Sequence, residues 1–274
     1  MGLADLISLK ARSHEIRRDI LVSLAEAGSG HTGGSLGLAD VFTVLYFHVL
    51  HHDPVLPDWD QRDRLILSIG HVAPVLYATL AHAGYFPVEE LKSLRKLGSR
   101  LQGHPGREHG LPGLELSAGS LGQGLSVATG MALAGKMDGS SWRVFCITGD
   151  GELQEGSIWE AAMGAAHHRL DNLTVIVDRN KLQIDGPTSQ VMDLEPLADK
   201  WTSFGWEVLE CNGHEHEELV SVLEKPRISG KPRVVLANTI MGKGVKSIEV
   251  DYRWHGKAPS QAELQRFLAE LEQE

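Results

Sequence analysis

Apolar residues return every three or four positions over residues 3–27, at Leu6, Ile16, Ile20, Leu21 and Leu24, and this spacing predicts an amphipathic helix. The glycine-rich stretch from Gly28 to Gly34 ends it. A second helix is predicted over 37–50, with Asp53-Pro54 as a stop beyond it. Residues 64–68 form a short apolar run between polar neighbours, the pattern of a buried strand. Gly70-His71 follows, then an apolar helix at about 73–83. Residues 86–119 carry glycine, proline and charge without a period, and a loop this long in a compact domain is usually functional. Beyond it the pattern becomes regular. Helices are predicted at 121–135, 154–167, 194–204 and 214–224, strands at 144–148, 173–177, 206–209 and 234–238, and a polar amphipathic helix at 260–272.

Strands alternating with helices predict an α/β fold, a parallel sheet with helices on both faces. No internal repeat, low-complexity tract or linker interrupts residues 1–274, so a single domain is expected. In such sheets ligands sit beyond the C-terminal ends of the strands. The glycine-rich segments follow Ser68, Thr148, Val177 and Thr239, where that rule puts them.

Composition narrows the class. Hydrophobic residues make up 42% and charged residues 23%, ordinary for a globular chain. A formal charge of −10 argues against nucleic acid and anionic membranes, since no basic excess exists to displace counterions. The two cysteines make no disulfide scaffold, and Cys146 lies in an apolar run as a small hydrophobe. No signal-peptide pattern opens the sequence and no apolar run has membrane-spanning length, so a cytoplasmic enzyme is the expectation. What composition alone does not predict is that the 30 glycines cluster beside histidines.

The strongest chemical signal runs from Ile147 to Gly156. An apolar strand leads into Gly149-Asp150-Gly151, where glycines let the backbone turn and a phosphate approach. About thirty residues later a second strand ends in Asp178-Arg179-Asn180-Lys181-Leu182. One helix fits between, so the two strand ends should be close. Asp150 and Asn180 then share one hard cation such as Mg²⁺, with phosphate oxygens completing its shell. A lone Gly-Asp-Gly is usually a plain turn, and the spacing and strand context make this one specific.

Together these residues resemble the thiamine diphosphate motif, and Leu153-Gln154-Glu155-Gly156 resembles its transketolase form rather than the 2-oxo-acid dehydrogenases. The resemblance continues along nearly the whole chain. Gly30-His31-Thr32-Gly33-Gly34, Leu67 to His71, Gly103-His104-Pro105, Gly119 to Gly124, Gly242-Lys243-Gly244 and Trp254 to Pro259 are similar to transketolase segments in family order. The resemblance implies that Asp150, Asn180 and the Leu182 carbonyl hold the metal, Mg²⁺ or else Ca²⁺ or Mn²⁺. It implies that Gly151, His71 and His255 contact the diphosphate, that Gly119 and Leu121 lie along the cofactor, and that Asp178 lies near the thiazolium. His31, His104 and His255 are implied to face the substrate. Glu155 and Glu160 are implied to lie at the subunit interface.

The implied reaction moves a two-carbon ketol unit from a ketose phosphate to an aldose phosphate, with thiamine diphosphate as electron sink. The activating glutamate of the family lies in a second domain beyond residue 274. An α-type subunit is therefore expected, paired with a separate pyrimidine-binding chain in an α2β2 heterotetramer. The complete, polar helix at 260–272 favours a split enzyme over a truncated chain. Three alternatives stand beside this reading: a split ketol-transferase for an unusual sugar phosphate such as apulose 4-phosphate, the enzyme that makes deoxyxylulose phosphate, and a non-catalytic remnant of the fold. The Leu-Gln-Glu-Gly run disfavours the second, and the retained Asp150, Asn180 and four loop histidines disfavour the third.

Other patterns carry less. His14, His48, His51, His52, His167 and His168 lie on predicted helices or their ends and read as surface or core residues. His214-Glu215-His216 offers zinc only two ligands, and Asn212-Gly213 before it reads as a helix start. Gly28, Gly30 and Gly33 match a dinucleotide fingerprint in spacing but follow a helix rather than a strand.

Overall fold

The computed structural model describes residues 2–273. Helix α1 (Leu3–Ala27) matches the first predicted helix and ends at Gly28, whose φ of 66° is the left-handed turn that glycine permits. The predicted helix at 37–50 is α3 (Ala39–Val44) continued by a π turn over Leu45–Val49, and a short helix that the pattern does not predict, α2 (Thr32–Gly37), precedes it. Glycine normally argues against a helix interior. Here close packing requires it: a Cβ on Gly33 would lie 2.5 Å from Met241 Cγ, and one on Gly37 would lie 2.9 Å from the Ile240 carbonyl oxygen.

Strand β1 (Arg64–Leu67) leads through a short turn into α4 (Ala73–His82). Residues 86–119 are irregular apart from two short 3₁₀ segments, Val88–Ser93 and Arg107–His109. Then follow α5 (Gln123–Met137), β2 (Val144–Gly149), α6 (Gly156–His167) and β3 (Leu173–Arg179). A two-residue hairpin, β4 (Leu182–Gln183) and β5 (Gly186–Pro187), precedes α7 (Thr188–Val191) and α8 (Leu197–Ser203). The chain continues through β6 (Glu207–Asn212), α9 (His216–Glu224), β7 (Arg233–Asn238) and α10 (Gln261–Leu271). Ser260 and Glu263 close a capping box at the start of α10, so its N-terminal amides are satisfied before its apolar face packs.

The five long strands form one parallel sheet in the order β1-β2-β3-β7-β6. Successive residues face opposite sides. Leu65, Leu67, Phe145, Ile147, Ile176 and Val235 face the core built with α1, α3, α4, α9 and α10. Ile66, Cys146, Val175, Val177, Val234 and Leu236 face the core built with α5, α6 and α8. Both faces of β2, β3 and β7 are covered, which is why these strands read as apolar runs, whereas β6 at the edge is more polar. Among the described residues, no helix is long and apolar enough to cross a membrane.

His214 and His216 belong to a buried ion network rather than a cation cage. Asp40 accepts from Arg17, and His214 Nδ1 lies 2.8 Å from Asp40 Oδ2. Because His214 Nε2 accepts from the Ile240 amide, Nδ1 carries the proton. Burial alone would raise the Asp40 carboxyl, but Arg17 and His214 hold it well below the usual carboxylate range.

Candidate functional site

The sheet places the two halves of the aspartate–asparagine motif side by side. Gly149 of β2 pairs with Asp178 of β3, and the Asp150 amide donates to the Asp178 carbonyl at 3.1 Å. Asp150 therefore stands just past β2, next to the turn that carries Asn180. Its Oδ1 accepts from the Gly151 amide at 2.8 Å and its Oδ2 from the Lys181 amide. Lys181 holds a φ of 64°, a conformation unusual for a side-chain-bearing residue, and this turns the chain so that its amide meets Asp150. Asn180 donates to Asp178 and accepts from the Leu182 amide, both at 2.9 Å. Thr239, just beyond β7, donates to the other Asp178 oxygen.

Four separate segments each bring in one histidine. His31 precedes α2, His71 follows β1, His104 lies in the long irregular segment and His255 precedes α10. The His31 ring lies 5.0 Å from that of His71, 5.7 Å from His255 and 6.2 Å from His104. His71 and His255 are 4.9 Å apart. The cluster closes one end of a cavity of about 390 Å³ whose other end is the Asp150–Asn180 turn. Gly119, Leu121, Gly151, Glu155, Asp178 and Leu182 also line it. Every residue that the sequence reading assigned to cofactor, metal or substrate thus borders this one space. Glu160 does not; it is exposed on α6.

Electrostatics give the cavity its character. Among the described residues its walls hold no lysine and no arginine, but they hold Asp150, Glu152, Glu155 and Asp178. Burial, and then the Asp178 charge, push the Asp150 carboxyl up to about 7. Burial likewise pushes Asp178 up to about 6. Burial lowers His71 to about 3 and His31 to about 4, with neighbouring imidazoles adding to the effect. The histidines are therefore neutral near pH 7, each with one N–H donor and one acceptor. Nδ1 of His31 and of His255 is buried without a hydrogen-bond partner among the described residues.

This donor set fits a hard dication carrying a diphosphate. A carboxylate, an amide oxygen and a backbone carbonyl are oxygen ligands too few to enclose the ion, leaving positions for phosphate oxygens and water. Among the described residues no group of three or more His, Cys, Asp or Glu side chains is arranged to hold a metal alone. A diphosphate entering these acidic walls gains a counter-charge only with such an ion. A cation would in turn favour the ionised form of Asp150 that burial disfavours.

Some residues of the site were not legible in the sequence. Glu152 is buried and its carboxylate is bonded to three separate segments. Arg95 adopts a φ of 59°, and a Cβ on Gly103 would come within 2.6 Å of its Cζ. It borders a second opening beside His104, which Glu108 and His109 also line. An arginine nine positions before a histidine in a loop gives no pattern; only the fold brings the two together.

A parallel sheet with an acidic, glycine-lined cavity at its strand ends fits a thiamine diphosphate-binding domain. The profile of the family "Transketolase, thiamine diphosphate binding domain" matches residues 10–272, and the chain belongs to that family. It is 45% identical over 269 residues to the 6-deoxy-6-sulfo-D-fructose transketolase subunit SqwG of Clostridium sp. (strain MSTE9), covering 98% of both chains. It is 45% identical over 267 residues to an apulose-4-phosphate transketolase subunit of Actinobacillus succinogenes, covering 97% of this chain and 96% of that one. Among solved structures, transketolase from Leishmania mexicana superposes with a TM-score of 0.89 at 31% identity, over 96% of this chain and 41% of the other. The chain thus spans about two-fifths of that structure and nearly all of the two subunits. It is a transketolase-family chain carrying the thiamine diphosphate-binding domain, and both of those relatives are named as transketolase subunits.

Proposed function

We propose that this chain, acting as one diphosphate-binding domain, binds thiamine diphosphate through Mg²⁺ and works only with a separate pyrimidine-binding subunit. Two copies of each form an α2β2 heterotetramer. The observation that carries the cofactor reading is the cavity between the Asp150–Asn180 turn and the histidine cluster, oxygen-rich at one end and neutral imidazole at the other. The near full-length match to relatives named as transketolase subunits supports the two-chain arrangement.

In this reading Asp150, Asn180 and the Leu182 carbonyl hold the metal, while Gly151, His71 and His255 border the diphosphate. Gly119 and Leu121 flank the cofactor, and Asp178 stands near its thiazolium end. Bound thiamine diphosphate supplies the electron sink that lets a bond next to a carbonyl break. His31, His104 and His255 face the sugar. Being neutral, they both accept a hydroxyl proton and donate to a carbonyl oxygen within hydrogen-bond reach. The Asp150–Asn180 turn and the packed glycine loops orient the diphosphate and restrict water. Glu155 at the cavity lip and Glu160 on α6 lie where a second copy of the chain docks.

The reaction is the transfer of a two-carbon ketol unit from a ketose phosphate to an aldose phosphate. A second reading has a specific basis: two relatives at the same identity carry the names of different sugars, sulfofructose and apulose 4-phosphate. The donor is then an unusual sugar with a terminal anion. Reconstitution with the pyrimidine-binding chain, assayed on xylulose 5-phosphate and on both of those sugars, tests the choice. Transfer from xylulose 5-phosphate supports the general transketolase. Transfer confined to one of the others selects the second reading, and cofactor binding without transfer from any ketose contradicts both.

A further inference from the structure

Glu152 is 2% exposed, and a carboxylate is unfavourable in such a place unless hydrogen bonds meet it. Three donors do. Oε1 accepts from the Ser68 hydroxyl at 2.5 Å and from the Gly122 amide at 2.8 Å, and Oε2 accepts from the Gly149 amide at 3.2 Å. Ser68 Oγ in turn accepts from the Gly124 amide at 3.2 Å. The bonded groups belong to three different segments: the end of β1, the entry to α5 and the end of β2.

Each segment reaches the cavity a few residues away. Ser68 leads to Ile69 and His71, Gly122 follows Leu121, and Gly149 precedes Asp150. The first two segments also touch backbone to backbone, since a Cβ on Gly70 would lie 2.8 Å from the Ala118 carbonyl carbon. An apolar side chain of similar volume would avoid the desolvation of a buried charge. It would leave the Gly122 and Gly149 amides without their acceptor, and with them the relative placement of three cavity walls.

We propose that Glu152 is a positioning residue for the cofactor, with Ser68 as its partner: one carboxylate sets the metal-side turn, the His71 loop and the Gly119–Leu121 wall relative to one another. This rests on the reading of the cavity as a thiamine diphosphate site. Glutamine at 152 keeps the shape but presents NH₂ hydrogens either to the Gly149 amide or to the Ser68 and Gly122 donors. Alanine at 68 removes the hydroxyl and leaves the Gly124 amide unmet.

The test compares wild type, Glu152→Gln, Ser68→Ala and the double variant, each assembled with the pyrimidine-binding chain. Calorimetry gives cofactor affinity in Mg²⁺, kinetics give KM and kcat, and hydrogen exchange is followed on the cofactor-free assembly. In Glu152→Gln the KM for thiamine diphosphate and its Kd rise about tenfold or more, while kcat at saturating cofactor falls less than about threefold. Exchange accelerates together at Gly122, Gly124 and Gly149. The double variant costs less than the sum of the two single effects, because Glu152 and Ser68 share one hydrogen bond and hold the same segments. Should Glu152→Gln fail to fold, Ser68→Ala carries the same KM shift. Lower thermal stability with unchanged KM and Kd in both variants would make the carboxylate a core latch and overturn the inference, as would full additivity. A wild-type assembly that binds no thiamine diphosphate overturns the cofactor reading itself, and this inference with it, before any variant is measured.

Discussion

Burial pushes the imidazole of His71 down to about 3 and that of His31 to about 4, against about 6.5 in an open chain. Above that ordinary value neither folded nor unfolded chain holds the proton, and nothing is lost. As pH falls below it, the unfolded chain takes up protons that the folded chain refuses, so stability declines toward acid pH. Asp150 and Asp178 act with the opposite sign. Their raised values of about 7 and about 6 make the metal-free fold less stable as pH rises through the interval above the ordinary carboxylate range. In urea titrations, His71→Gln should lose part of the acid-side decline: its unfolding free energy changes less steeply between about pH 6 and pH 4.5, by up to about 1.4 kcal/mol per pH unit, the value of one proton. An unchanged slope would show that His71 titrates normally in the fold. That these residues line one cavity was legible, because Asp150 and the four loop histidines stand beside glycine and Asn180 follows Asp150 by about thirty residues at a second strand end. Glu152 was not, since a glutamate after Gly-Asp-Gly reads equally well as a solvated turn residue, and only the paired strands show it buried.

At the scale of elements, the pattern was legible where one physical cause dominated and misleading where two competed. The central strands have both faces covered, so their apolar runs were unambiguous. Strand β6 lies at the sheet edge and carries Glu207, Glu210 and Asn212, and its second half was missed for that polarity. Helix α2 was missed because glycine pairs usually break helices, whereas here Gly33 and Gly37 let the helix lie against Met241 and Ile240. The same kind of contact makes Gly70 sensitive. A methyl there meets backbone of Ala118 and Gly119 rather than a movable side chain. Gly70→Ala is expected to destabilise the chain by about 1–3 kcal/mol and to weaken cofactor binding by displacing the Gly119–Leu121 wall. Thermal melts and cofactor titration check it, and a variant with wild-type values for both would mean that the two segments separate without consequence.

The whole molecule offers a sheet whose strand ends carry the site and a flank, α5 with α6, that exposes small and apolar positions. Leu121 and Met163 are 36% and 54% exposed there, beside Glu155 and Glu160. In the proposed heterotetramer this flank meets its own copy. Glu160→Arg places two added cations at that contact and is expected to shift the assembly toward αβ pairs in analytical ultracentrifugation, while an undisturbed α2β2 mass would put the contact elsewhere. The central claim is narrower than the assembly: the cavity holds thiamine diphosphate through a divalent cation bound by Asp150 and Asn180. Calorimetric titration of thiamine diphosphate into the assembled enzyme, with Mg²⁺ and with chelator, and into its Asp150→Ala variant, tests it most directly. Saturable binding of one cofactor per chain in Mg²⁺, weakened about a hundredfold or more by chelator and equally by Asp150→Ala, is the predicted result. Binding that is indifferent to both chelator and Asp150→Ala would contradict it.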